Sequence, residues 1–363
     1  MPSILTEDLQ YTLSKLTESE RKKLTNSTVL LTGCAGFLGY YFLHFFQEHA
    51  QQLGIKKVIG LDIFLHGVPA WIEDFQQDER FDIRKFDITC DELSTISGAS
   101  EVDYIIHMAS IASPIYYRQY PIETLDANIW GLRHLLDFYK DKPHKGLLFY
   151  SSSEIYGDPD EKNIPTKEEY RGSVSCTGPR ACYDEAKRLG DTLCMLYAQQ
   201  YDMPIRIVRP FNIYGPGMCL DDRRLPPDFA KSILENKDLV IFSDGTPTRT
   251  FTYVADSAAG DLKVLLYDKF DYFNIGSESP EITVKQLADY FITAGQEICG
   301  YTGKVIYQVS EDKHYLTDNP QRRCPDLSKA YTLLEYAPTI SIADGIRRFL
   351  KFFKENDPQE YNW

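Results

Sequence analysis

The segment Val29-Leu-Leu-Thr-Gly33-Cys-Ala-Gly36-Phe-Leu-Gly39 constrains the fold of this chain more than any other. An apolar strand runs into three glycines at spacing three, and the stretch from Phe37 to Gln52 then has a helical pattern. Glycines let the backbone approach a pyrophosphate, and the helix N-terminus offers free N–H groups and the positive end of its dipole to the anion. The segment predicts a dinucleotide phosphate turn, with Gly33, Gly36, Phe37, Leu38 and Gly39 against the cofactor; a plain glycine turn is the competing reading. Lys57-Val-Ile-Gly-Leu-Asp62 favours the first, because a second strand ends in an acid where a carboxylate would hold the adenosine ribose hydroxyls. Asp62 also favours NAD over NADP: a carboxylate repels a 2′-phosphate, and Ile63-Phe64-Leu65 brings no arginine. Asp87, after a third strand, suits an adenine contact or an ordinary strand-end turn equally.

Short apolar runs alternate with amphipathic stretches, which predicts an α/β fold with a doubly wound parallel sheet of Rossmann type. The expected strands are 29–32, 57–62, 81–86, 102–107, 146–151 and 205–209, with helices near 37–52, 122–140 and 183–201. Ligands should bind at the carboxyl ends of the strands. After Arg209 the texture changes to prolines, glycines and charges. The expected division is a Rossmann domain over 28–210 with a return segment near 247–272, and a smaller α/β substrate-binding domain over 211–246 and 273–363. Residues 1–27 form a separate helical extension, with Leu5, Leu9, Leu13 and Leu16 on one face and Thr6 as its cap. That helix is expected to dock on its own subunit, with dimer contacts as the alternative.

The 363 residues, 43% of them hydrophobic, suffice for one large or two moderate domains. A net charge of −14 argues against nucleic acid or an anionic membrane as partner, though a local basic pocket for a diphosphate is compatible with it. Eight scattered cysteines, with no Cys-x-x-Cys pair and no clustered histidines, suggest reduced thiols in cytoplasm and no metal site. No apolar leader or membrane-length stretch is visible, so the expectation is a soluble protein that is not exported.

Tyr183 and Lys187, one helical turn apart in Gly178-Pro-Arg-Ala-Cys-Tyr-Asp-Glu-Ala-Lys187, can form a catalytic base. A phenol of ordinary pKa about 10 is nearly inert at neutral pH, and a neighbouring ammonium would favour the phenolate. Such a pair also arises on many helices as an aromatic beside a solvated charge. The upstream glycine turn tips the balance toward catalysis.

Together with His107-Met-Ala-Ser110, Tyr150-Ser-Ser-Ser-Glu-Ile-Tyr-Gly-Asp158, Arg209-Pro-Phe-Asn-Ile-Tyr-Gly-Pro216 and Thr248-Arg-Thr-Phe-Thr-Tyr-Val254, these motifs make the chain resemble the extended short-chain dehydrogenase/reductase family over nearly all of 28–350. Within it, the chain is most similar to the nucleotide-sugar enzymes of the UDP-glucuronate decarboxylase subgroup, also through Pro320-Gln-Arg-Arg-Cys-Pro-Asp326. The resemblance implies NAD contacts at Asp87, Ile88, Ala109, Asn128, Tyr183 and Lys187 as well as the glycine turn. It implies that Ser152 and Tyr183 bond the sugar 4-hydroxyl, Tyr183 takes its proton and the C4 hydride passes to NAD. The resulting ketone is β to the C6 carboxylate of a hexuronic acid, so loss of CO₂ leaves an enolate, giving UDP-xylose or the 4-keto pentose.

Ser153-Glu154 separates neighbouring chemistries. Similar 4,6-dehydratases carry an aspartic acid at the first position to protonate the departing hydroxyl, and a serine is a far weaker acid. The resemblance gives Glu154 a role in positioning substrate and water. It gives Arg249 a contact to the carboxylate or to the proton delivered at C5, or else to the diphosphate. Tyr117, Ser153, Arg180 and Asn212 match substrate-side positions, and Arg322 and Arg323 suit a phosphate or ribose, with a solvated surface pair as the alternative. Tyr156, Phe211 and Tyr253 are expected to be core or wall aromatics.

The chain departs from the family pattern in three places. Gly215-Pro216-Gly217 stands where an arginine usually follows Gly-Pro, which removes one cation. Pro227 and Asp228 stand where small residues and asparagine are usual beside the nucleotide. Cys34 replaces a glycine and should fit if its φ is negative. These put the substrate in question more than the redox chemistry, so a nucleotide-sugar 4-epimerase, a 4,6-dehydratase and an NAD-binding scaffold without activity remain as alternatives. The expected partners are a nucleotide sugar, UDP-linked for preference, and a second copy of the chain in a homodimer built partly from the Tyr183 helix and its neighbour.

Overall fold

Among the residues described by the computed structural model, 3–65, 67–310 and 317–361, seven parallel strands form one sheet. In chain order they are β1 (Thr28–Thr32), β2 (Lys57–Asp62), β3 (Phe81–Lys85), β4 (Tyr104–His107), β5 (Gly146–Tyr150), β6 (Ile205–Pro210) and Asp271–Ile275. Their order across the sheet is β3, β2, β1, β4, β5, β6, Asp271–Ile275. Because side chains alternate along a strand, Val29 and Leu31 enter the core on one face and Leu30 the core on the other. All five residues of β1 and of β5 are buried, as continuous apolar strands covered on both faces should be.

The seventh strand begins at the end of the return segment expected near 247–272 and runs three residues beyond it. Asp271 and the lysines near it obscured its apolar pattern; Lys329 pairs with Asp271 at 2.5 Å. The helix expected over 122–140 is interrupted: Pro121–Asp126 and Leu132–Tyr139 are joined by a π-helical turn at Ala127–Gly131. Helix Phe37–Leu53 follows β1 and stops at Gly54, and helix Ala181–Tyr201 follows β5.

Beyond β6 the chain builds smaller units. Thr252–Tyr253 pairs with Ile213–Tyr214, and Thr248–Arg249 lies between Ile282–Thr283 and Arg322–Arg323. Helices Leu225–Leu234, Val284–Cys299 and Ile342–Glu355 pack together beside them. The N-terminal helix runs from Ile4 to Ser14 and is capped by Ser3, whose hydroxyl accepts from the Thr6 N–H at 3.2 Å. The cap is therefore three residues earlier than expected, since Thr6 already lies in the first turn. Leu9, Leu13 and Leu16 are buried and Leu5 packs against the core, all within the same subunit. Among the described residues no helix is long and apolar enough to cross a membrane.

Candidate active site

The glycine turn is built by main chain. Gly33 has φ +71°, and a Cβ there would lie 2.8 Å from the Ala109 backbone, so β1 and the end of β4 approach closely only because residue 33 is glycine. Gly36 stands before helix Phe37–Leu53 and supplies no side-chain cap, which leaves the first helical N–H groups without a side-chain acceptor. Asp62 ends β2 against this turn, accepting from the Ala35 N–H at 3.0 Å and the Phe64 N–H at 2.8 Å. Burial raises its pKa while these N–H groups oppose the rise. An open helix N-terminus next to an acid at the strand end fits an NAD diphosphate and adenosine ribose. Cys34 is buried, lies outside the positive-φ region and packs its thiol toward Gly60, as its small size allows.

Other expected cofactor positions differ in character. Asp87 accepts from the Thr89 N–H and hydroxyl at 2.9 and 2.7 Å, the geometry of a strand-end turn. Ile88 is in the core. Asn128 is buried and donates to the Ser110 hydroxyl and the Thr124 carbonyl at 3.0 and 2.7 Å. Its side-chain carbonyl has no partner among the described residues.

From the turn, a cavity of about 680 Å³ runs between the sheet and the smaller units, lined by Phe37 and Leu38 at one end and by Asp228 and Phe242 at the other. Tyr183 and Lys187 line its middle on helix Ala181–Tyr201, with Ser152 at the end of β5. The Ser152 hydroxyl accepts from the Glu154 N–H at 3.1 Å and lies beside the Tyr183 phenol, whose pKa it acts to lower. Tyr117 stacks on Tyr183 with ring centroids 5.3 Å apart. Lys187 donates to the Tyr150 carbonyl at 2.8 Å and lies 5.6 Å from the Tyr183 ring centroid.

Burial dominates the electrostatics of this pair. Burial pushes Tyr183 up to about 12, against the Ser152 bond and the field of Arg224. Burial likewise pulls Lys187 down to about 7, with Asp191 opposing. Both groups are dry, and the lysine is turned to a carbonyl.

A carboxylate ringed by guanidiniums completes the cavity. Glu154 pairs with Arg180 and with both terminal nitrogens of Arg323, the second contact at 2.8 Å. Burial acts to raise its pKa, but Arg180, Arg323 and Arg249 outweigh it and hold Glu154 below the usual carboxylate range. Arg249, also buried at the wall, bonds the carbonyls of Thr248, Pro320 and Gln321 at 2.7, 2.5 and 3.1 Å. Burial and the positive neighbours Arg323 and Arg180 pull it down to about 9, against Glu154. Asn212 lines the cavity at φ +43° and donates to the Thr250 carbonyl at 2.8 Å. Ser153 lines it as well and is buried.

Arg322 and Arg323 separate. Arg322 pairs with Glu281 at 2.6 Å and does not line the cavity, so the surface-pair alternative describes it. In a strand, successive side chains face opposite ways, and only Arg323 turns inward. At Gly217 a Cβ would fall 2.2 Å from the Tyr40 ring, so the arginine usual near this position has no room. Tyr156 and Phe211 form a small aromatic core, and Tyr253 is buried, as expected.

Sequence reasoning missed Asp184 and Arg224. Asp184 is buried four residues after Arg180 and 3.4 Å from it, and burial with the nearby Glu154 charge raises its pKa. Arg224 lines the cavity while holding Asp222 at 2.5 and 2.7 Å. The signal for Asp184 was its place beside Tyr183.

A Rossmann sheet, a glycine turn closed by an acid, and a serine, tyrosine and lysine converging in one cavity define a dinucleotide-dependent oxidoreductase class of site. The profile of the NAD dependent epimerase/dehydratase family matches residues 29–276. The chain is 34% identical over 334 residues to UDP-glucuronic acid decarboxylase 1 of Arabidopsis thaliana, covering 92% of this chain and 71% of that protein. The solved epimerase Mth375 of Methanothermobacter thermautotrophicus superposes with a TM-score of 0.79 at 27% identity, covering 93% of this chain and 95% of that one. UDP-glucuronic acid 4-epimerase of Bacillus cereus, solved with UDP-glucuronic acid and NAD, gives 0.73 at 27% identity, covering 90% and 99%. This protein belongs to the NAD dependent epimerase/dehydratase family, and NAD is its cofactor.

Proposed function

We propose that the protein decarboxylates a UDP-linked hexuronic acid, UDP-glucuronate above all, through a 4-keto intermediate. The observation that carries this is the charge balance of the cavity. Arg180, Arg249 and Arg323 surround the ionised Glu154, with Asp184 beside Arg180, and three cations against these two carboxyls leave positive charge near Tyr183 that matches the C6 carboxylate of a hexuronate. The similarity to UDP-glucuronic acid decarboxylases supports the same substrate.

Ser152 and Tyr183 hold the sugar 4-hydroxyl, and the Tyr183 phenolate, favoured by the Lys187 ammonium, takes its proton and returns to the phenol. NAD, bound against the glycine turn and Asp62, supplies a reversible hydride acceptor for C4. With the ketone β to C6, the C5–C6 bond breaks and its electron pair enters an enolate. Ser153 supplies no strong acid to a leaving hydroxyl, which disfavours loss of water. Glu154, held by Arg180 and Arg323, positions substrate and water. Arg249 contacts the carboxylate or the proton delivered to C5, and Asn212 the diphosphate. UDP-glucuronate labelled at C6 tests this: labelled CO₂ should appear without added reductant, and none should appear with Tyr183→Phe.

A 4-epimerase of the same acid is the second proposal, favoured by the Bacillus cereus neighbour and served equally well by the arginine cluster. Label kept in a C4-inverted sugar would select it.

We propose a homodimer. Ile122, Leu125, Leu189 and Leu196 are exposed on helices Pro121–Asp126 and Ala181–Tyr201, which pack side by side, with exposed Trp130 between Pro121–Asp126 and Leu132–Tyr139. Light scattering on Leu189→Glu should then report a monomer. Eight free, scattered cysteines support a cytoplasmic, reducing location. We propose a Rossmann unit over 28–210 with a return segment over 247–275, and a smaller substrate-binding unit over 211–246 and 276–363.

A further inference from the structure

The N-terminal helix lies outside the residues matched by the family profile, yet its buried face is polar as well as apolar. Asp8 is fully buried; its carboxylate accepts from the Tyr253 hydroxyl at 2.5 Å and from Arg348 Nε at 2.9 Å, and its carbonyl accepts from the Tyr41 hydroxyl at 3.0 Å. Burial is the largest influence on this carboxyl and raises it to about 6, against the Tyr253 and Arg348 contacts. A helix that only needed to dock could bury leucine at this position, and a buried ion pair is a weak source of stability. What the carboxylate gains is a fixed position for its partners.

Tyr253 closes the strand Thr252–Tyr253, which pairs with Ile213–Tyr214. The other end of this unit carries two residues of the cavity. Asn212 donates to the Thr250 carbonyl at 2.8 Å, and its own carbonyl accepts from the Thr252 N–H at 3.1 Å. Arg249 lies four residues before Tyr253, about 13 Å along an extended chain. Asp8 therefore grips one end of a short segment whose other end bears the cavity arginine.

We propose that Asp8 is a positioning residue for substrate: through Tyr253 it fixes the segment Thr248–Tyr253 against Phe211–Tyr214 and so places Arg249 and Asn212 in the cavity. This rests on the proposed role of Arg249 and Asn212 as substrate contacts.

The test is steady-state kinetics with UDP-glucuronate, alongside thermal unfolding, on the full chain carrying Asp8→Asn, Tyr253→Phe or both, with Arg249→Lys as reference. Asp8→Asn keeps the volume and one acceptor. Each single variant should raise KM about fivefold, the worth of one net hydrogen bond, with kcat within about twofold. The double variant should raise KM no further than Asp8→Asn alone, since Tyr253→Phe removes only a bond that Asp8→Asn already weakens along with the hold on Arg348. A lowered Tm with unchanged KM, or effects that multiply in the double variant, would overturn the proposal. If Asp8→Asn does not fold, Tyr253→Phe alone decides by the same KM criterion. An unchanged KM in Arg249→Lys overturns the site reading and this inference with it. A raised KM there beside an unchanged KM in Asp8→Asn overturns only the inference.

Discussion

The two ends of the cavity are built from different materials. At the glycine-turn end, main chain does the work: Gly33 closes on the Ala109 backbone, the helix from Phe37 starts without a side-chain cap, and Asp62 bonds N–H groups of its own turn and the neighbouring one. At the arginine end, side chains do it: Glu154, Arg180, Arg249 and Arg323 meet from four separate segments. A main-chain site tolerates most side-chain changes but no change of backbone conformation. A side-chain site fails one charge at a time, and each failure leaves a partner buried without compensation.

Between the two ends stands Tyr183, and the largest effect is expected there. Tyr183→Phe should lower kcat about a thousandfold while leaving NAD affinity and Tm near those of the parent, as general acid–base groups contribute about 10² to 10⁴. A fall of less than tenfold would break the assignment of Tyr183 as the base. Next comes Glu154→Gln, which leaves Arg180 and Arg323 buried without their carboxylate and should destabilise by about 3 kcal/mol in denaturant titration. Its pH dependence gives the sign. Glu154 has a folded pKa below its unfolded one, so its stabilisation is full above the unfolded value near 4.5 and is lost as pH falls through the folded value. The difference between parent and Glu154→Gln should shrink in strong acid; a difference that persists there would assign the loss to shape.

Gly33→Ala tests the main-chain end. A left-handed φ and a Cβ pressed on the Ala109 backbone should cost about 1 to 3 kcal/mol, read as weaker NAD binding or lower Tm. Equal NAD affinity and Tm would contradict the close approach. The smallest effect sharpens the contrast between neighbours: Arg322→Ala, on a partly exposed pair with Glu281, should change stability by less than about 1 kcal/mol and leave turnover intact. Arg323→Ala, one residue on, should raise KM and destabilise, because it strips Glu154.

The same contrast explains what could be read in advance. The glycine turn, Asp62 and the pairing of Tyr183 with Lys187 are local patterns, and six strands of the sheet follow from apolar runs between turns. Glu154, however, meets partners 26 and 169 residues away, and no spacing rule brings them together. Resemblance alone suggested their roles; that Arg322 turns outward and Arg323 inward depends on strand register. The tyrosine and lysine were legible as a pair but their burial was not, since desolvation depends on what the fold lays over them. Asp271–Ile275 was missed as a strand because its charged start resembles a loop, and the Ser3 cap because Thr6 satisfied the same pattern.

The central claim is that the surplus positive charge beside Tyr183 receives a hexuronate carboxylate that is then lost. Mass spectrometry of UDP-glucuronate incubated with the enzyme and NAD in D₂O addresses it directly. The expected product is lighter by CO₂ and carries deuterium at C5. A product of unchanged mass with C4 inverted, or one that has lost water, would contradict it.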